Sequence, residues 1–148
     1  MIKPKRKIRH RLPIKIFDAS SNVINKENLL IDKDLRISIR DTVITTIKPS
    51  GYIILDFGEQ IRGGIRLLVS QSKSIDDEYQ IRIRFGITTK EINLKDFNIY
   101  VPAMSDLIYG DTRFRYVRID NLSDLDLNIK TVYAREYYRE IKVSKELK

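Results

Sequence analysis

Residues 79–85 alternate strictly: Tyr79, Ile81, Ile83 and Phe85 are apolar, and Gln80, Arg82 and Arg84 stand between them. On an extended strand successive side chains point to opposite faces. This period of two therefore predicts a strand with one face in a core and the other toward water. A helix would spread the same residues around its circumference and bury none of them well.

Other segments carry the same signature. Residues 113–120 begin with the same alternation. Residues 127–138 place Leu127, Ile129, Thr131, Tyr133 and Arg135 on one side. Residues 36–47 are rich in β-branched side chains, which favour strands. Residues 52–57 are more continuously apolar, as a strand buried on both faces would be, and residues 65–69 form a further strand. Turn signals fall between these runs at Pro49-Ser-Gly51, Asp76-Asp77, Tyr109-Gly-Asp111 and Asn121-Leu-Ser-Asp124. The two strands flanking residues 58–64 are close enough to pair as a hairpin, with glycines supplying the positive φ or bulge of a tight connection. Helix candidates are short, at residues 25–30 and 141–148. The expectation is an all-β chain, an antiparallel β-sandwich that is jelly-roll-like.

At 148 residues the chain is one domain by length. No apolar run approaches the roughly 20 residues of a membrane helix, so no membrane partner is expected. There is no cysteine, hence no disulfide or thiolate chemistry. That absence, with the lack of an apolar leader, slightly favours a cytoplasmic chain. The net charge of +8 is unevenly placed. Lys3, Lys5, Arg6, Lys7, Arg9, Arg11 and Lys15 all precede the first acid, Asp18, and the rest of the chain holds 21 basic against 20 acidic residues. Residues 1–15 are therefore expected as a flexible, solvated basic arm before a sandwich over 16–140. Such an arm would touch phosphates non-specifically, and nucleic acid is a secondary expectation only.

Few residues suggest chemistry. Asp56 and Glu59 are close enough to resemble the paired carboxylates of glycoside hydrolysis. Nothing around them completes a site, and acids at turns commonly bind backbone N–H groups or nearby cations, here Arg62 or Arg66. Asp124-Leu-Asp-Leu-Asn128 opens with calcium-loop spacing, but Ile129 and Arg135 occupy positions that need Gly and Glu. The acids of residues 76–78 read as a solvated turn. His10 is the only histidine, which removes paired-histidine catalysis and ordinary zinc sites. No catalytic residue, metal or cofactor is expected. Among eight tyrosines, Tyr100, Tyr109, Tyr137 and Tyr138 are candidate sugar platforms, whereas Tyr79, Tyr116 and Tyr133 fit strand faces. Arg82, Arg84, Arg113, Arg115 and Arg118 are expected to form a cross-strand ladder with Glu78, Asp111 and Asp120.

One set of motifs goes further. Leu55-Asp56-Phe57-Gly58-Glu59, followed by Gly63-Gly64, resembles the Leu-Asp-Phe-Gly-x-Glu-x-x-Gly-Gly signature of bacterial α-L-rhamnosidases of the six-hairpin glycosidase type. Asn22-Val-Ile-Asn, Arg82-Ile-Arg-Phe-Gly86, Pro102-Ala-Met-Ser-Asp106 and Thr112-Arg-Phe114-Arg115-Tyr-Val-Arg resemble further segments of that family in the same order. Ile87 stands where the family has Glu, and Arg113 where it has Gly. The resemblance covers roughly residues 22–140. It implies a non-catalytic β-sandwich that packs against a downstream helical-barrel catalytic domain and shapes one rim of its sugar cleft. Asp56, Phe57, Gly58, Glu59, Gly63, Gly64, Phe114 and Arg115 are its motif residues. The family's catalytic acids lie downstream, so none is carried over. Residues 141–148 would begin the connection to the barrel. Two alternatives stand beside this scaffold: a carbohydrate-binding module taking a rhamnose-containing glycan, and a nucleic-acid binder using the basic arm. A sandwich lacking its partner domain would also tend to self-associate.

Overall fold

In the computed structural model, residues 6–32, 44–74, 76–92 and 98–139 are described. They form nine strands: β1 (Arg6–Arg11), β2 (Lys15–Ala19), β3 (Val23–Ile24), β4 (Thr45–Ile47), β5 (Tyr52–Val69), β6 (Glu78–Gly86), β7 (Asn98–Pro102), β8 (Asp106–Asn121) and β9 (Leu127–Arg139). A single 3-10 turn at Lys26–Leu30 follows Asn25, whose φ is 58°. It carries Leu29 into the core. The fold is an antiparallel, jelly-roll-like β-sandwich.

Two long strands organise it. β8 runs along one edge of β5 for almost its whole length, while the other edge of β5 pairs first with β2 and then with β9. Beyond β8, its C-terminal half pairs with β6, and β6 with β7. One layer is thus β2, the first half of β5, the second half of β8, β6 and β7. The other is β9 with the remaining halves of β5 and β8, its far edge shared by β4 and β1. Strands that change layer need bends, and bulges supply them. Residues 57–60 of β5 face the single residue Arg115 of β8, and a second register shift lies between Gly63 and Ile65.

The core lies between the layers. Ile53, Leu55, Phe57, Ile61, Ile65 and Leu67 of β5 meet Tyr79, Ile81 and Ile83 of β6, Phe114, Val117 and Ile119 of β8, and Val132 and Ala134 of β9. Removing such side chains from water contributes about 1.5–3 kcal/mol each.

Several expectations change. Residues 58–64 form no hairpin turn, because β5 is one continuous strand through them. Tyr109-Gly110-Asp111 likewise lies inside β8. The glycines admit neighbouring backbones and bulges rather than reversing the chain. The basic N-terminal segment is a strand where it is described: β1 pairs with the end of β9 and β2 with the start of β5. Arg9, Arg11 and Lys15 of this segment are paired with acids distant in sequence. In β9 a register shift at Lys130 moves the core face from Ile129 to Val132 and Ala134. Thr131, Tyr133 and Arg135 therefore lie on the opposite face from Leu127. Of the strand expected over 36–47, Thr45–Ile47 is seen and the rest lies outside the described residues, as do residues 141–148.

Candidate functional site

The motif residues converge on the bulge where β5 changes layer. Asp56 is fully buried, with 0% of its side chain exposed, while Arg115 retains 38%. Arg115 donates from Nε to Asp56 Oδ1 at 3.0 Å and from Nη2 to Oδ2 at 3.2 Å. The Gly58 N–H donates to Asp56 Oδ1 at 2.7 Å, and Lys15 Nζ stands 3.9 Å from Oδ2. Gly58 has a φ of 87°, which suits a residue without Cβ. Burial pushes the Asp56 carboxyl up, but Arg115, the Gly58 N–H and Lys15 outweigh it and hold the group below the usual carboxylate range. Beneath the clamp, Phe57 and Phe114 meet edge to face at 5.8 Å.

Glu59 points elsewhere. Its Oε1 accepts from Arg11 at 2.6 Å. Arg11 also reaches Glu136 at 3.4 Å, and Glu136 accepts from Arg9 at 2.6 and 2.8 Å. This network ties β1 to β9 and to the bulge, and pairs two cations of the basic segment with carboxylates. Asp56 and Glu59 therefore serve separate cationic partners. Arg62 and Arg66 pair instead with Asp111 and Asp106. The Arg66 guanidinium holds the Asp106 carboxyl below its ordinary range despite partial burial.

The outer face of the first layer carries the arginines. Asp120 is buried and accepts from Arg118 at 3.1 Å, with Arg84 at 3.6 Å. Arg82 and Tyr52 are its cross-strand neighbours. The Arg118 guanidinium lies 4.2 Å from the centroid of the Tyr52 ring, whose hydroxyl donates to Asp18 at 2.8 Å. The expected ladder thus forms around Asp120. Arg115 leaves it for Asp56, and Asp111 takes Arg62 rather than Arg113.

The four candidate tyrosines do not come together. Tyr100 lies on edge strand β7 with 62% of its surface exposed. Tyr109 packs against Phe85 at 6.1 Å. Tyr137 accepts from Arg135 at 3.1 Å, and Tyr138 lies under Arg9 at 4.9 Å, on opposite faces of β9. Tyr79 is fully buried, Tyr116 meets Phe17 at 5.4 Å, and Tyr133 meets the tilted His10 ring at 5.7 Å. Burial, with Arg66 and Arg135 nearby, lowers the His10 pKa, and Asp106 opposes the shift.

The acids of the imagined calcium loop are also placed. Asp126 pairs with Lys48 at 3.4 Å, and Asn128 binds Thr46 and the Gln71 carbonyl. Among the described residues, no group of three or more His, Cys, Asp or Glu side chains is placed to hold a metal.

One feature escaped the sequence. A cleft of about 220 Å³, lined by Gln71, Ser72, Ser74, Ala103 and Met104, opens between the loop after β5 and the turn joining β7 to β8. Met104 has a φ of 61° and is 58% exposed. Its only prior signal was the serine-rich composition of residues 70–74.

No family model and no curated protein sequence matches the chain. Solved structures do. A rhamnosidase from Klebsiella oxytoca with rhamnose bound superposes with a TM-score of 0.63 at 14% identity, over 90% of this chain and 30% of that one. The CBM32 module of AlyQ, in complex with 4,5-unsaturated mannuronic acid, gives 0.57 at 17% identity, over 85% of this chain and 97% of that module. A Streptococcus pneumoniae fucose-binding module gives 0.53 at 11%, over 85% and 96%. The chain spans less than a third of the rhamnosidase and nearly all of each module. The likeness is one of fold: a β-sandwich shared by CBM32-type modules and by part of a rhamnosidase.

Proposed function

We propose that this chain is a non-catalytic, carbohydrate-binding β-sandwich that works with a glycan-processing enzyme. The observation that carries the proposal is the state of Asp56 and Glu59, the acids that most resembled a catalytic pair. Each is committed to a cation: Asp56, whose carboxyl is held below the usual carboxylate range, is not the general acid with a raised pKa that glycoside hydrolysis requires, and Glu59 is turned away from it to Arg11. The sandwich likeness to a fucose-binding module and to a module bound to an unsaturated uronic acid supports sugar recognition as the task. A glycan array probed with the full chain, with a parallel assay on 4-nitrophenyl α-L-rhamnopyranoside, tests this. Saturable binding to at least one glycan without hydrolysis is expected. Hydrolysis, or an array without a single bound glycan, overturns it.

A second reading is a rhamnosidase-type scaffold packing against a helical catalytic barrel. It is favoured by an exposed apolar patch, Ile14 and Phe17, beside Tyr116 and the Asp56–Arg115 clamp. A pure scaffold predicts no change of tyrosine fluorescence with L-rhamnose and a tendency of the isolated chain to self-associate.

A further inference from the structure

We infer that the cleft between the β5–β6 loop and the β7–β8 turn is a subsite for a single neutral sugar ring, with Met104 as its apolar wall. This rests on the carbohydrate-binding proposal and gives it a location and a ligand class. Size is the first argument. At about 220 Å³ the cleft falls below the roughly 300–1,000 Å³ of pockets that hold drug-sized ligands, so it accommodates one ring rather than a chain. Its walls combine an amide, two hydroxyls and two apolar side chains, which suits a ring with a hydroxylated edge and a C–H face.

The walls are built in advance. Met104 N–H donates to the Ser70 carbonyl at 3.2 Å and Ala103 N–H to the Asp77 carbonyl at 3.1 Å, tying turn to loop. The Gln71 carbonyl accepts from the Tyr79 hydroxyl at 3.2 Å and from Asn128 Nδ2 at 2.9 Å. Asp77 Oδ2 accepts from Ser72 Oγ at 2.5 Å and from Ser74 N–H at 3.0 Å. Rigid walls lower the ordering cost of binding.

Met104 is the second, independent observation. A left-handed backbone at a residue with a Cβ is unfavourable by about 1–2 kcal/mol. Glycine would remove that strain, yet this position holds a long, soft apolar side chain and leaves it mostly in water. Strain of this kind clusters at ligand sites. The charge class follows from Asp77. Its carboxylate stands directly behind the lining, accepting from Ser72 Oγ and the Ser74 N–H, so a second carboxylate on the ligand would be repelled.

The test is amide-resolved NMR titration of the full chain with L-rhamnose, L-fucose and D-glucuronate, repeated on Met104→Gly. The expected result is saturable shifts at residues 70–74 and 103–105 with at least one of the neutral sugars, none there with glucuronate, and at least fivefold weaker binding by the glycine variant. Because that substitution relieves backbone strain, its thermal midpoint should not fall, which separates lost binding from lost folding. Shifts confined to the Tyr52–Arg118 or Tyr100 surfaces would overturn the subsite while leaving carbohydrate binding intact. Equal occupation of the cleft by glucuronate would overturn the neutral class. No shift with either neutral sugar would overturn the subsite, and an array without a bound glycan would remove the underlying proposal as well.

Discussion

Replacing Arg115 by Ala isolates the interaction that holds the bulge of β5. The substitution deletes both hydrogen bonds to Asp56 and leaves a carboxylate with 0% exposure supported by the Gly58 N–H and by Lys15 at 3.9 Å. Stripping one partner from a fully buried pair costs about 3–5 kcal/mol. Arg115 is itself 38% exposed and Lys15 is mobile enough to approach, so the expected cost is nearer 2–3 kcal/mol. For a domain of this size that lowers the thermal midpoint by roughly 5–10 °C. Urea unfolding followed by far-ultraviolet circular dichroism measures it, with an unchanged m-value. Two further results are expected. Adding Asp56→Asn should recover part of the loss, since removing both partners spares the orphaned charge. The deficit should also shrink on acidification. In the parent protein the folded Asp56 pKa is depressed, so its stabilisation is present above the ordinary carboxylate value of 3.8 and is lost as pH falls through the folded value. In the variant, burial dominates and protonation relieves it. A loss below about 0.5 kcal/mol, or one that does not vary between neutral and acid pH, would refute the clamp.

Two other perturbations follow from the geometry. A Cβ at Gly64 would run into the carbonyl oxygens of Gly110 and Tyr109 on β8, so Gly64→Ala should destabilise by about 1–3 kcal/mol or more, measured by the same urea titration. His10 has a folded pKa below its ordinary value of 6.5, so the unfolded chain binds the proton more readily and stability falls as pH drops through that region; His10→Gln should flatten this slope in thermal melts across pH 5–8.

Legibility in the sequence followed the range of the forces involved. Strand β6 was plain because its alternation is local and its two faces meet different solvents. Strand β5 was misdivided because Gly58, Gly63 and Gly64 carry the composition of a turn. Their purpose is set by chains remote in sequence: Arg115 opposite the bulge, Gly110 against Gly64 and Arg135 against Gly63. The face of β9 was followed correctly to Ile129 and lost at Lys130, where one unpaired residue inverts every later side chain. Strand β1 read as a solvated arm because its residues are polar and basic. The acids that hold Arg9 and Arg11 lie 127 residues along at Glu136 and 48 along at Glu59. The cleft had still less signal, since nothing in the letters Ala103-Met104 announces a left-handed backbone.

The sequence by itself determined that this chain is an antiparallel sheet protein without cysteine chemistry, and that residues 45–47, 52–57, 65–69, 79–85, 113–120 and 127–138 lie in strands, because side-chain alternation and β-branching act within a few residues. The tertiary structure alone decided that two of those segments join into one layer-crossing strand, that the Asp56 carboxylate is an ion-paired brace, and that a small cleft sits beside a strained methionine. Register, bulges and ion pairing are settled between strands far apart along the chain, where only the packed sandwich brings the partners together.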